Sequence, residues 1–215
     1  MMAVRLHAVL PEYTGRVQLR TRPFPLEIGG EAAPRDILEQ EWWLAALQEP
    51  LAEFRPFQGE NWPATTLPAF QAAWVAARQG EAVGHDYDLR IRRAFFAQGR
   101  NIGRREVLSD IAHEAGLDLE QFTRDFASEE AGAVVLAERQ LGQERYGVRG
   151  TPTLMLQDGT KLRAPLAEPR MRNRKIVGIG RLPCFGDACL DATRALFERA
   201  LAGGGGVSAG GAARP

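Results

Sequence analysis

The sequence is poor in thiols, imidazoles, lysine and long apolar runs, and each shortage excludes something. Two cysteines, Cys184 and Cys189, in 215 residues are too few for the disulfide framework of a small secreted domain. The three histidines, His7, His85 and His113, have no ligand spacing among themselves, so no metal site and no cofactor are expected. No run reaches the ~20 consecutive apolar residues that a bilayer span requires. The opening "MMAVRLHAVL" has no apolar signal-peptide core and no cleavage site, so the expected location is cytoplasmic, without a membrane partner. Charge of one sign is lacking too: 27 basic and 27 acidic residues give a formal net charge of zero. That balance excludes the electrostatic footprint of a nucleic-acid binder. Lys161 and Lys175 are the only lysines, so arginine supplies almost all the positive charge. This is a compositional bias of the chain rather than a pattern for phosphate recognition.

What is present suits an ordinary globular protein: 45 % hydrophobic and 25 % charged residues, enough apolar material for a core. Residues 3–13 read as the end of an amphipathic helix, with Val4, Leu6 and Leu10 apolar. His7 there is a surface or half-buried structural residue. "RVQLRTRPFPL" alternates with period two and predicts a strand from Val17, stopped by Pro23 and Pro25. From about 34 to 147 the pattern is helical. Pro34 opens one helix, Phe70, Ala73, Trp74 and Ala77 stripe a second, and "HDYDLRIRRAFFAQG" forms a third. "RREVLSDIAHEAG" follows, then two helices whose predicted caps are Asp118 and Ser128. "TPTLMLQDG" and "TKLRAPL" predict a hairpin around Asp158-Gly159, with "KIVGIG" as a further strand. A last helix is expected over about 188–202.

Of the adjacent Trp42 and Trp43, ~100° apart on a helix, one is expected in the core. Trp62 lies in a loop, where a substrate-groove role is plausible. The arginine-rich "EPRMRNRK" reads as a solvated loop. Cys184 and Cys189 stand five apart; within one helix they would be ~140° apart, beyond the ~7 Å Cα separation that a disulfide tolerates. A bridge needs the helix to start between them, and Pro183, Gly186 and Asp187 allow that, with Asp187 as N-cap. The alternative is two small buried hydrophobes near a helix start. Read alone, Thr151-Pro152 is an ordinary trans turn or a proline at a strand start, since X-Pro bonds are cis in only ~5–6 % of cases.

Three segments in order resemble the DsbA-like family, specifically its cytoplasmic FrnE-type branch. They are "RVQLRTRPFPLE", "RRAFFAQGRNIGRREVLSDIAHEAGLDLEQF" and "YGVRGTPTLML"; the last is similar to the family's Gly-Val-x-Gly-(Thr/Val)-Pro-(Thr/Ser) entry to a strand. The resemblance implies an α/β thioredoxin-like fold with a large α-helical insertion. Residues 1–28 and 148–202 would form a discontinuous thioredoxin-like domain, 29–147 the helical insertion, and 203–215 a disordered Gly-rich tail. It implies a cytoplasmic protein thiol–disulfide oxidoreductase. Gly150, Thr151 and a cis Pro152 would bind substrate, and protein or peptide thiols and disulfides, with glutathione, would be its partners. Cys184 and Cys189 would be a secondary redox pair, since a C-x4-C near this end is similar to one in FrnE-type members. The family's C-x-x-C does not occur in the chain, and by the same alignment its first cysteine falls a few residues before Met1. The first strand and the start of the first helix are therefore expected to lie upstream, with a shortened paralogue as the alternative. Two other readings share the fold: a 2-hydroxychromene-2-carboxylate isomerase or kappa-type glutathione transferase, and a redox-dead peptide-binding paralogue.

Overall fold

The computed structural model describes residues 1–27, 32–59, 61–162, 164–173 and 175–203. The chain opens on α1 (Met2–Val9), which tightens into a 3-10 turn over Leu10–Tyr13. Six helices follow: α2 (Arg35–Gln48), α3 (Leu67–Ala77), α4 (Glu81–Phe96), α5 (Arg105–Glu114), α6 (Leu119–Ala127) and α7 (Glu129–Glu144). The hairpin β1 (Leu154–Met155) and β2 (Lys161–Leu162) comes next, then β3 (Pro169–Arg172), β4 (Lys175–Ile179) and α8 (Asp187–Gly203). The expected tail, beyond Gly203, lies outside the described residues.

The helical block forms where periodicity predicts it, because each helix carries one apolar stripe and the stripes face one another. Phe122 and Phe126 of α6, Leu108 and Ile111 of α5 and Val75 of α3 are buried in one cluster with Tyr87 and Phe95 of α4. Helices α3 and α4 approach closely at Gly84, where a Cβ would come within 2.7 Å of the Ala77 Cα. Any side chain there would drive the helices apart. The buried Tyr87 hydroxyl donates to the Leu108 carbonyl at 2.7 Å, and burial pushes its phenol pKa up.

Trp42 takes the core position, edge-on to Phe95 at 5.3 Å and Phe96 at 5.2 Å, while Trp43 is exposed. Trp62 stays partly exposed but packs against the helical core. Its ring packs 5.1 Å from Phe57 and 5.3 Å from Phe95, and its indole N–H donates to the Ala33 carbonyl at 3.3 Å. A loop tryptophan is drawn in because its large apolar ring gains more from burial than the loop loses in freedom.

Caps divide. The Asp118 carboxylate accepts from the Gln121 N–H at 3.0 Å, as the sequence predicts. Ser128 instead turns back, and its hydroxyl donates to the Asp125 carbonyl at 2.6 Å. Helix α3 is served from a distance, by Glu27. One carboxylate oxygen accepts from the Thr66 N–H, from the Thr66 hydroxyl at 2.5 Å and from the Thr65 hydroxyl at 3.2 Å. Glu27→Ala is expected to lower stability by about 1–2 kcal/mol, the range for losing a cap, measured as a lower urea midpoint. An unchanged midpoint would remove Glu27 from this role.

The strands differ most from expectation. Residues 17–22 form no strand; among the described residues that segment has no ladder partner. It is held by side chains instead, through Gln18 to Glu81 at 2.7 Å and Arg22 to Glu138 at 2.6 Å. Alternation marks a chain that suits a sheet face, but a strand also needs a neighbour for its N–H and C=O groups. Among the described residues the strands pair as two antiparallel hairpins, β1–β2 and β3–β4. The arginine-rich run is strand rather than loop: all four residues of β3 are exposed, so no apolar alternation announces it.

A second, smaller core joins the chain ends. Val9 and Tyr13 pack with Phe197 of α8, flanked by Leu6, Val17 and Leu190. The Tyr13 and Phe197 rings stack at 4.9 Å. The Tyr13 hydroxyl donates to Glu198 at 2.8 Å, and that bond, first among the causes, raises its pKa.

Candidate functional site

Cys184 and Cys189 form a disulfide with a Cα separation of 5.0 Å. The helix does begin between them, with Asp187 as its first residue rather than its cap. Gly186 makes the turn: its φ of 56° lies in the left-handed region that glycine enters without strain. Its carbonyl accepts from the Cys189 N–H at 2.9 Å. Cys189 is 2 % exposed, whereas Cys184 is half-buried, so Cys184 is the more exposed residue of the pair. Cys189 sits in the first turn of α8, where unpaired N–H groups and the helix dipole favour a thiolate. The stacked Tyr13–Phe197 pair anchors this helix to the start of the chain.

Beneath the disulfide lies a charged knot. Arg5 is 1 % and Glu49 2 % exposed, and the Arg5 Nε donates to the Glu49 carboxylate. Glu49 also accepts from the Leu51 N–H at 3.2 Å. The Arg5 Nη1 donates to the Pro165 carbonyl at 2.8 Å, and the Cys184 Sγ stands 3.7 Å from the same oxygen. The neighbouring Ala167 N–H is taken by the Gln48 side chain at 3.2 Å. Reduction of the bridge would give Cys184 an S–H with the Pro165 carbonyl, itself bonded to Arg5, as an acceptor in place. These residues escape sequence reasoning, although one signal existed. Met2, Arg5 and Val9 are the buried positions of α1, a helical stripe that a lone arginine interrupts.

The second predicted group is at Gly150–Pro152, where the Thr151–Pro152 peptide is cis. Thr151 and Pro152 are exposed, and the Thr153 hydroxyl donates back to the Gly150 carbonyl at 2.7 Å. Among the described residues, neither the N–H nor the C=O of Thr151 has a hydrogen-bond partner. Among the described residues the strand that follows, β1, is paired on one side only, Leu154 with Leu162 and Met155 with Lys161. The Asp158 carboxylate accepts from the Thr160 N–H at 2.8 Å in the connecting turn, which holds its pKa low. Among the described residues no hydrogen bond joins this loop to the disulfide; each is anchored separately.

The order of these parts, helices between an N-terminal segment and a proline-entered hairpin, matches a known family over residues 1–182, described as the DSBA-like thioredoxin domain. The chain belongs to that family. Solved structures agree at the level of the DSBA-like fold. A putative protein disulfide isomerase from Nitrosomonas europaea is similar at 20 % identity and a TM-score of 0.67, covering 95 % of this chain and 91 % of that one. The cytosolic disulfide reductase DsbM from Pseudomonas aeruginosa is similar at 22 % identity and a TM-score of 0.63, covering 93 % and 91 %. The same reductase with GSH gives 24 % identity and a TM-score of 0.61, covering 75 % and 82 %. At these identities the likeness speaks for the DSBA-like fold. Within the described residues no helix is long and apolar enough to cross a membrane.

Proposed function

We propose that the chain is a cytoplasmic FrnE-type protein thiol–disulfide oxidoreductase in which Cys184 and Cys189 are a secondary redox pair, the family's main C-x-x-C not occurring in the chain. The observation that carries this is the disulfide itself, which spans the start of α8 with Cys184 half-buried and Cys189 buried in the helix's first turn. A protein in a reducing compartment keeps such a pair for exchange more readily than for scaffolding. Thiolate attack on one sulfur releases the other, and the first turn of a helix stabilises what is released. Gly150, Thr151 and Pro152 dock the substrate: the unpaired Thr151 backbone and the free edge of β1 suit an extended peptide added as a short strand. The two cores support a division into a thioredoxin-like unit, 1–28 with 148–202, and a helical insertion, 29–147. Glutathione is the small-thiol partner we propose, consistent with a similarly folded protein whose structure is with GSH.

Thiol counting under denaturing conditions tests the pair. Mild oxidation of the reduced protein is expected to remove about two titratable thiols per chain while the protein stays monomeric on a sizing column. Oxidised glutathione should drive the same loss, and an insulin-reduction assay reads the exchange with protein disulfides. Two thiols that remain freely alkylated after oxidation would overturn the reading.

A further inference from the structure

Beyond the last ladder pair of the β3–β4 hairpin, Pro169 with Ile179, the Gly180 N–H still reaches the Glu168 carbonyl at 2.9 Å, and then the two arms part. The 164–168 arm is drawn inward by the Arg5 bond to Pro165 and the Gln48 bond to Ala167. The disulfide ties the end of the 180–184 arm to α8. Between them lies a cleft of about 590 Å³ lined by residues 164–168 and 180–183, adjoining Cys184. Among the described residues, the backbone N–H and C=O groups of Arg181 and Leu182 have no hydrogen-bond partner. Leu182 and Phe185 add apolar surface, 37 % and 64 % exposed. Unpaired backbone beside apolar side chains is what an extended peptide pairs with.

Resting on the redox reading of Cys184–Cys189, we propose that this cleft holds the cysteine-bearing strand of a peptide dithiol and presents it to Cys184. One substrate thiolate attacks the Cys184 Sγ, forming a mixed disulfide. The Cys184–Cys189 bond breaks and its electron pair leaves on Cys189, as a thiolate in the first turn of α8. The second substrate thiolate then attacks the substrate sulfur of the mixed disulfide, and Cys184 leaves as thiolate. The substrate dithiol is oxidised to a disulfide, the protein disulfide is reduced to a dithiol, and the substrate's two protons pass to solvent or to the new thiolates. This site is separate from the Thr151 loop and gives the cysteine pair its own substrate groove.

The test compares the rates at which two reductants open the oxidised protein: an end-blocked, unstructured synthetic peptide with two cysteines, and dithiothreitol. In Leu182→Glu and in Arg181→Pro the ratio of peptide rate to dithiothreitol rate is expected to fall about ten-fold, equivalent to ~1.4 kcal/mol of lost binding. Acid-quenched mass spectrometry should find the peptide on Cys184. An unchanged ratio in both variants, or peptide attached to Cys189, overturns the groove while leaving the redox pair standing. Failure of both reductants to open the disulfide overturns the redox reading and the groove with it.

Discussion

Glu49→Ala should destabilise the protein by about 3–5 kcal/mol, the range for stripping one partner from a buried ion pair. Arg5 cannot reach water at 1 % exposure, so the variant leaves its guanidinium buried without the carboxylate that faces it. The same change frees the Leu51 N–H and loosens the arginine that holds the Pro165 carbonyl. The double variant Arg5→Met with Glu49→Leu is the instructive control. It removes both charges and keeps the volume, and buried pairs replaced in this way are often no less stable than the parent. Urea unfolding of the parent, the single and the double variant measures all three. A loss below ~1 kcal/mol in Glu49→Ala, the size expected of a surface pair, would mean that the pair is solvated.

Reducing the Cys184–Cys189 bond is expected to lower stability by about 2 kcal/mol, from the loop-closure entropy of so short a loop. For a chain of this size that is a drop of about 4–8 °C in the melting midpoint. Cys189→Ser should fall as far as the reduced parent and become insensitive to reductant. Linkage gives the statement its second face. Whatever the bridge adds to the folded state, the fold adds to the bridge, so the folded protein is harder to reduce than its unfolded chain by the same free energy. Equal midpoints for the oxidised and reduced protein would show that α8 holds its start without the bridge.

Much of the fold was legible. Helices α3 to α7 follow a period that nearest-neighbour physics sets, and Asp118 caps α6 because capping is decided within four residues. The Gly-flanked Thr151–Pro152 entry and the C-x4-C spacing could be located because each is local, whereas the cis form of that peptide was implied only by the family resemblance. Other features were out of reach for a common reason. Residues 17–22 carry a strand's alternation, but a ladder depends on a partner that spacing does not supply. The β3 strand is exposed on both sides and has no hydrophobic signature. Trp62 reads as a loop residue until Trp42, Phe57 and Phe95 surround it.

By itself the sequence determined the helical block, the Gly-flanked proline, the separation of the two cysteines and the turn that lets a helix start between them. Only the tertiary structure decided which cysteine is the more exposed, that Arg5 and Glu49 meet beside the pair, and that two backbone arms diverge there into a cleft. The physical reason is range. Capping, helical period and glycine turns act over a few residues, whereas Arg5 finds Glu49 and Pro165 across most of the chain, and only burial makes that meeting obligatory.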